Sequence, residues 1–137
     1  MAYTPDEGEL LSLQRMIAYE NIYLRLFTDN HVEDVTESWS DFTEAAGGGY
    51  VQKTLTSGSW SVLSNQGDDG VARASYAKQT WTFTGALTSD AIIYGWVLVG
   101  VTSGKLYRVA IESAFTPTGA GDFYEVTPVL ELRSRAT

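Results

Sequence analysis

Cysteine is absent from the 137-residue chain, so disulfides, thiolate metal sites and a thiol nucleophile are excluded, while the redox compartment stays open. Histidine occurs once, as His31. A Ser-His-Asp arrangement would have to use it, yet no serine sits in a nucleophile-elbow context, and His31 lies between a turn and an acidic run. A solvated turn histidine is the expectation. Zinc takes about four nitrogen, sulfur or carboxylate ligands, so one His without Cys predicts no metal site, and nothing in the chain points to a cofactor. Basic residues are scarce as well: 9 Lys and Arg stand against 17 Asp and Glu, for a net charge of -8. Such a surface cannot replace the counterions of a nucleic-acid backbone, which excludes DNA and RNA as expected partners. Long apolar runs are also missing. The longest, Ala91 to Val101, is interrupted by Gly95 and Gly100 and falls well short of the roughly 20 residues that span a bilayer. No membrane association is expected. The acidic start Met1 to Glu7 lacks the basic and apolar regions of a secretory signal, so the chain is expected to be made in a cytoplasm.

The charge that is present is concentrated. Residues 1–44 hold ten acids against Arg15 and Arg25, which accounts for the entire excess. Length and 44% hydrophobic content suit one domain over residues 1–137, divided into a helical arm at 1–20 and a β domain at 21–137. In the arm, Thr4 can cap a helix, Pro5 suits its first position and Glu7 completes a Thr-x-x-Glu capping box. Leu10, Leu13 and Ile17 then recur on one face, so a short helix is predicted to end near Tyr19 and to dock on something apolar.

Beyond Asn21 the period changes to two. Ile22, Leu24 and Leu26 alternate with Tyr23, Arg25 and Phe27 in a first strand. The run from Asp29 to Glu44 is read as a long acidic connection with Val35, Trp39 and Phe42 as its apolar anchors. Gly47-Gly48-Gly49 marks a flexible turn. Tyr50 to Leu55 and Trp60 to Leu63 are read as strands that pair in a hairpin, and Asn65 to Gly70 as a turn-rich loop. Ala74, Tyr76, Gln79, Trp81 and Phe83 are placed on one extended segment. The β-branched run Ile92 to Val101 predicts a central strand buried on both faces, turning at Ser103-Gly104 into a partner strand that is half wet. Pro128 interrupts a last segment and predicts an edge or a bulge there. Short strands at turn-punctuated intervals point to an antiparallel, all-β sandwich or barrel with one short N-terminal helix.

The acids give no catalytic signature. Glu112 and Glu131 sit on apolar strands, where outward-facing positions explain them. Asp29-Asn30 and Asp68-Asp69 lack the spacing that concentrates oxygens on calcium, and the glycine triplet lacks the helix and lysine of a phosphate loop. No enzyme is expected. Four tryptophans and eight tyrosines suit an interface or a sugar-stacking platform; Trp81 and Trp96 belong on core strands, whereas Trp39 and Trp60 are the surface candidates.

Several segments carry a resemblance: Tyr23-Leu24-Arg25-Leu26-Phe27-Thr28-Asp29-Asn30, Asp41-Phe42-Thr43-Glu44-Ala45, Gly49-Tyr50, Gln79-Thr80-Trp81-Thr82-Phe83-Thr84-Gly85, Ile93-Tyr94-Gly95-Trp96, and Gly121-Asp122 with Val126-Thr127-Pro128. In this order the chain resembles small virion structural proteins of tailed bacteriophages, of the type that decorates or cements a capsid. The resemblance implies a jelly-roll-like sandwich that assembles with itself, as a homotrimer, and clamps the major capsid protein on the capsid surface. The expected partner-binding residues are Leu10, Leu13, Ile17, Trp39, Phe42 and Trp60. A tail or baseplate subunit of a phage and a glycan-binding sandwich module are the competing expectations.

Overall fold

A computed structural model describes residues 6–64 and 71–133. Thr4 and Pro5 of the expected capping box, and the loop Asn65 to Gly70, lie outside the described residues. The helix α1 spans Asp6–Tyr19. Among the described residues nine strands follow: β1 (Ile22–Phe27), β2 (Lys53–Leu55), β3 (Ser61–Ser64), β4 (Val71–Ser75), β5 (Gln79–Thr82), β6 (Ile93–Gly100), β7 (Leu106–Phe115), β8 (Phe123–Val126) and β9 (Val129–Arg133). Every pairing is antiparallel. One sheet runs β2-β1-β6-β7, a second β3-β4-β9, and β5 pairs with β8 alone. The chain is therefore an all-β, sandwich-like protein with one short N-terminal helix, as the alternation predicts.

The core follows from the period of two. Ile22, Leu24 and Leu26 of β1 and Trp96 and Leu98 of β6 present one buried face. Against it pack Ala72 and Ala74 of β4, Trp81 of β5, Val126 of β8 and Leu130 of β9. Leu13 and Ile17 bring α1 into the same cluster, so the helix belongs to the domain and is not a projecting arm. The opposite face of the β1-β6 pair is buried as well, with Phe27, Val97 and Val99 lying under Phe42. This double coverage is why β6 reads as a nearly continuous apolar run. Gly95 serves its close pairing with β7: a Cβ there would stand 2.0 Å from the Ala110 carbonyl oxygen and 2.8 Å from Phe27 Cζ.

Three expectations are corrected. Tyr50 to Leu55 and Trp60 to Leu63 do not form a hairpin, because β2 pairs with β1 and β3 pairs with β4. Of the first segment only Lys53–Leu55 is strand, and the tighter turn at Ser57–Ser59 sends the chain to the other sheet. The extended segment through Ala74 and Trp81 is two strands, broken after Ser75. Its partner breaks at the same place, between Val126 and Val129, where the Tyr76 N–H donates to the Pro128 carbonyl at 2.9 Å. Residues 76–78 thus face 127–128, three against two, which makes the bulge that Pro128 predicts. The glycine triplet is not a flexible turn. All three residues hold positive φ (81°, 60° and 83°), and a Cβ on Gly48 would meet the Gly85 carbonyl oxygen at 2.7 Å. Thr84 N–H to Gly48 O (2.9 Å) and Thr88 N–H to Ala46 O (2.8 Å) clamp the turn against residues 84–88. Glycine is needed there for handedness and close approach.

Buried glutamates mark two ends of the frame. Glu20, just past α1, accepts the Thr102 N–H (2.7 Å) and Ser103 N–H (2.8 Å) on one oxygen, and the Ser103 hydroxyl (2.6 Å) and Tyr107 hydroxyl (2.9 Å) on the other. It ties the helix end to the β6–β7 turn. Burial alone would raise its pKa, but the Ser103 hydroxyl and N–H, the Tyr107 hydroxyl and the Thr102 N–H outweigh it, and the group is lowered to about 2. Glu9 of α1 is equally buried, and neither of its carboxylate oxygens has a hydrogen-bond partner among the described residues.

Candidate functional site

The acidic connection folds as a closed loop on the outer face of the β2-β1-β6-β7 sheet. Its ends meet where the Thr28 N–H donates to Thr43 O and the Ala45 N–H to Leu26 O, both at 2.9 Å. Between those ends the chain is held down by aromatic rings. Phe42 packs edge-on against Phe27 (centroids 5.1 Å apart) and lies between His31 (4.1 Å) and Trp39 (5.9 Å), both stacked on it. Arg25 of β1 places its guanidinium 4.7 Å from the Tyr23 ring centre and 4.9 Å from that of Trp39, and donates to Gln52 Oε1 at 2.7 Å. Glu44 closes the loop by accepting the Tyr50 hydroxyl at 2.8 Å, and burial comes first among the causes that push the Tyr50 phenol up.

His31 is not the solvated turn residue that its sequence context predicts. Its Nδ1 lies 3.2 Å from Asp29 Oδ2, and its Nε2 meets Glu37 Oε2. Asp29 in turn accepts the Thr43 N–H at 2.8 Å. The contact with Glu37 raises the imidazole pKa above its ordinary 6.5; burial opposes this and Asp29 adds to it. The group clips the two halves of the loop together. Asp34 accepts the Thr36 N–H (2.9 Å) and hydroxyl (2.7 Å), backbone contact first, and its pKa is lowered.

The loop stands beside β7 and encloses with it an open groove of about 520 Å³. One wall is Glu33, Asp34, Val35 and Glu37; the other is Leu106 to Val109 with Ile111. Exposed apolar side chains gather here: Val35 is 93% exposed, its neighbour Val32 82%, and Ile111 50%. Hence the groove and its acidic wall carry apolar side chains that nothing among the described residues covers.

The expected site residues divide. Leu13, Ile17, Phe42 and Trp60 are buried in the chain's own core and have no surface to offer, which corrects the placement of Trp60 as a surface candidate. The error has a physical cause, since an irregular flank hides the fact that a ring can reach inward; Trp60 packs edge-on with Tyr76 at 5.3 Å. Leu10 and Trp39 are half-buried. Sequence reasoning missed His31 as a clip and β7 as a groove wall. The acids Asp29 and Glu37, at offsets of two and six from the one His, were the available signal for the first. Glu112 accepts the Tyr124 hydroxyl at 2.5 Å and Glu131 pairs with Arg73 at 2.8 Å, so both are engaged across strands. Among the described residues no group of three His, Asp or Glu side chains is placed to hold a metal ion, and no helix is long and apolar enough to cross a membrane. No family model, curated protein or solved structure matches the chain.

Proposed function

We propose that the chain is a structural protein of a tailed-phage particle that docks on the capsid shell and stabilises it, with the acidic loop as its contact surface. The observation that carries this reading is the loop itself. Rings, the His31 clip and a closed base hold residues 28–44 rigidly on the sheet, while Glu33, Asp34, Val32 and Val35 are left facing outward. A preorganised acidic and apolar surface suits a basic patch on a partner, because little ordering is lost on contact. Two ionisable groups fit the same view: Glu20 and His31 each spend their hydrogen-bonding capacity on holding this frame together. Binding only the assembled shell would stabilise it by linkage, and many copies on a lattice would add avidity to a modest contact. The order of segments resembling phage virion proteins supplies the identity of the shell, with the major capsid protein as partner and a self-associated, trimeric form as the clamp. A glycan platform on Trp39 and Trp60 is not favoured, because Trp60 is 9% exposed and Trp39 lies beneath Arg25.

The test mixes purified protein with undecorated shells. Saturable co-sedimentation and a higher shell-rupture temperature are expected, and both are expected to weaken in a Glu33→Lys, Val35→Lys double variant. Failure of wild type to bind shells, or gold-labelled protein found on tails in intact particles, would overturn decoration.

A further inference from the structure

We infer that the open edge of β7 receives an extended, basic segment of the partner chain as a fifth strand of the β2-β1-β6-β7 sheet. The inference rests on the docking reading above and states how that contact is made. β7 is ten residues long and stands at the end of its sheet. Every second residue of an edge strand directs its N–H and C=O away from its neighbour, where an added strand can pair with them. Among the described residues, no further backbone hydrogen bond uses these groups of residues 106–111.

Edges are ordinarily guarded by lysine, proline or an inward charge. Leu106 to Ile111 contains neither lysine nor proline. Its one charge, Arg108, is turned back toward the core, with the guanidinium 5.9 Å from the Trp96 ring centre and a hydrogen bond to Val129 O at 2.9 Å. The pairing of Gly95 with Ile111 and Ile93 with Phe115 leaves residues 112–114 bulged, and that of Leu98 with Arg108 and Val99 with Leu106 leaves Tyr107 as an extra residue, so the regular edge runs from Arg108 to Ile111. The groove passes Leu106, Tyr107, Arg108 and Val109 in succession and so follows this strand.

Charge selects the occupant. Glu33 and Asp34 line the opposite wall and form no salt bridge among the described residues. Two copies of this chain joined edge to edge would bring two such walls together and repel, whereas a strand that carries Lys or Arg on the face it shares with Val109 and Ile111 would meet the acids there, since the loop lies over that same face.

The experiment uses the full chain and synthetic peptides of about eight residues: alternating valine and lysine, alternating valine and glutamate, and the lysine peptide with proline in place of valine. The lysine peptide should bind saturably and slow the exchange of alternate amides within 108–111. Its affinity should fall about tenfold or more as salt rises from about 0.05 to 0.5 M. The glutamate and proline peptides should not bind. Ile111→Lys and Glu33→Lys should each weaken binding several-fold with the melting temperature unchanged. Equal binding by the glutamate peptide, binding without protection of β7, no binding, or a dimer of the chain alone that protects β7 would overturn the inference. Undecorated shells separate its fate from that of the wider reading. Shells bound equally by wild type and Ile111→Lys would sink the added strand and spare the docking, whereas a bound lysine peptide with no binding to shells would do the reverse.

Discussion

The two buried glutamates of the α1 region have opposite energetic signs, and each gives a measurable outcome. Glu20 has four donors on its two oxygens, so Glu20→Gln turns an amide N–H₂ toward groups that themselves donate. A loss of about 2–4 kcal/mol in urea unfolding at neutral pH is expected. Because its pKa is lowered in the folded chain to about 2 from 4.5, its contribution is complete above pH 4.5 and is lost as the pH falls toward 2; the gap between wild type and variant should close across that window. Glu9 has no such donors, and Glu9→Met should raise stability by about 1–2 kcal/mol in the same assay. His31 follows the opposite pH rule from Glu20. Its pKa is raised, so its clip is fully stabilising below 6.5 and weakens as the pH climbs through the folded value. With no other imidazole in the chain, an NMR titration should show one midpoint above 6.5, returning toward 6.5 in Glu37→Gln.

At the scale of elements, the β6–β7 pair depends on the absence of a side chain. Gly95→Ala places a methyl into the Ala110 carbonyl and Phe27, and should cost about 3 kcal/mol or more, read as a lowered denaturation midpoint. β1 and β7 were legible in the sequence by their alternation and β6 by its nearly continuous apolar run, together with the irregularity at Pro128. The break after Ser75 also had a signal. Ala74 is buried at an even position, whereas Trp81 and Phe83 are buried at odd ones, a phase slip that marks an extra residue between them. The β1–β2 pairing was not legible, since a three-residue strand carries too little alternation to name its neighbour, and a short turn does not reveal that the chain changes sheets. The glycine triplet was legible as a turn but not as a packed one, because the carbonyls it touches are distant in sequence.

For the whole molecule, the outer aromatic cluster decides whether the acidic loop is a surface or a loose strand of chain. Phe42→Ala removes the ring on which His31 and Trp39 stack and should cost about 3 kcal/mol or more. Limited proteolysis should then cut within residues 32–38, and co-sedimentation with shells should fail even at temperatures where the sheets stay folded. Trp39 and Phe42 were readable as anchors because they are the large apolar residues in an acidic run. That Val35, expected to anchor with them, instead stands 93% exposed beside the acids ahead of Trp39, needed the fold.

The shared corner at residues 76–78 and 127–128 has one more consequence. Two neighbouring segments leave one sheet and join a separate pair side by side, with unequal numbers of residues rounding the bend. Inserting a single residue after Pro128 would leave β9 two outcomes: to keep its pairs with β4 and round the bend with equal counts, or to continue the pleat unbroken and send Leu130 to water.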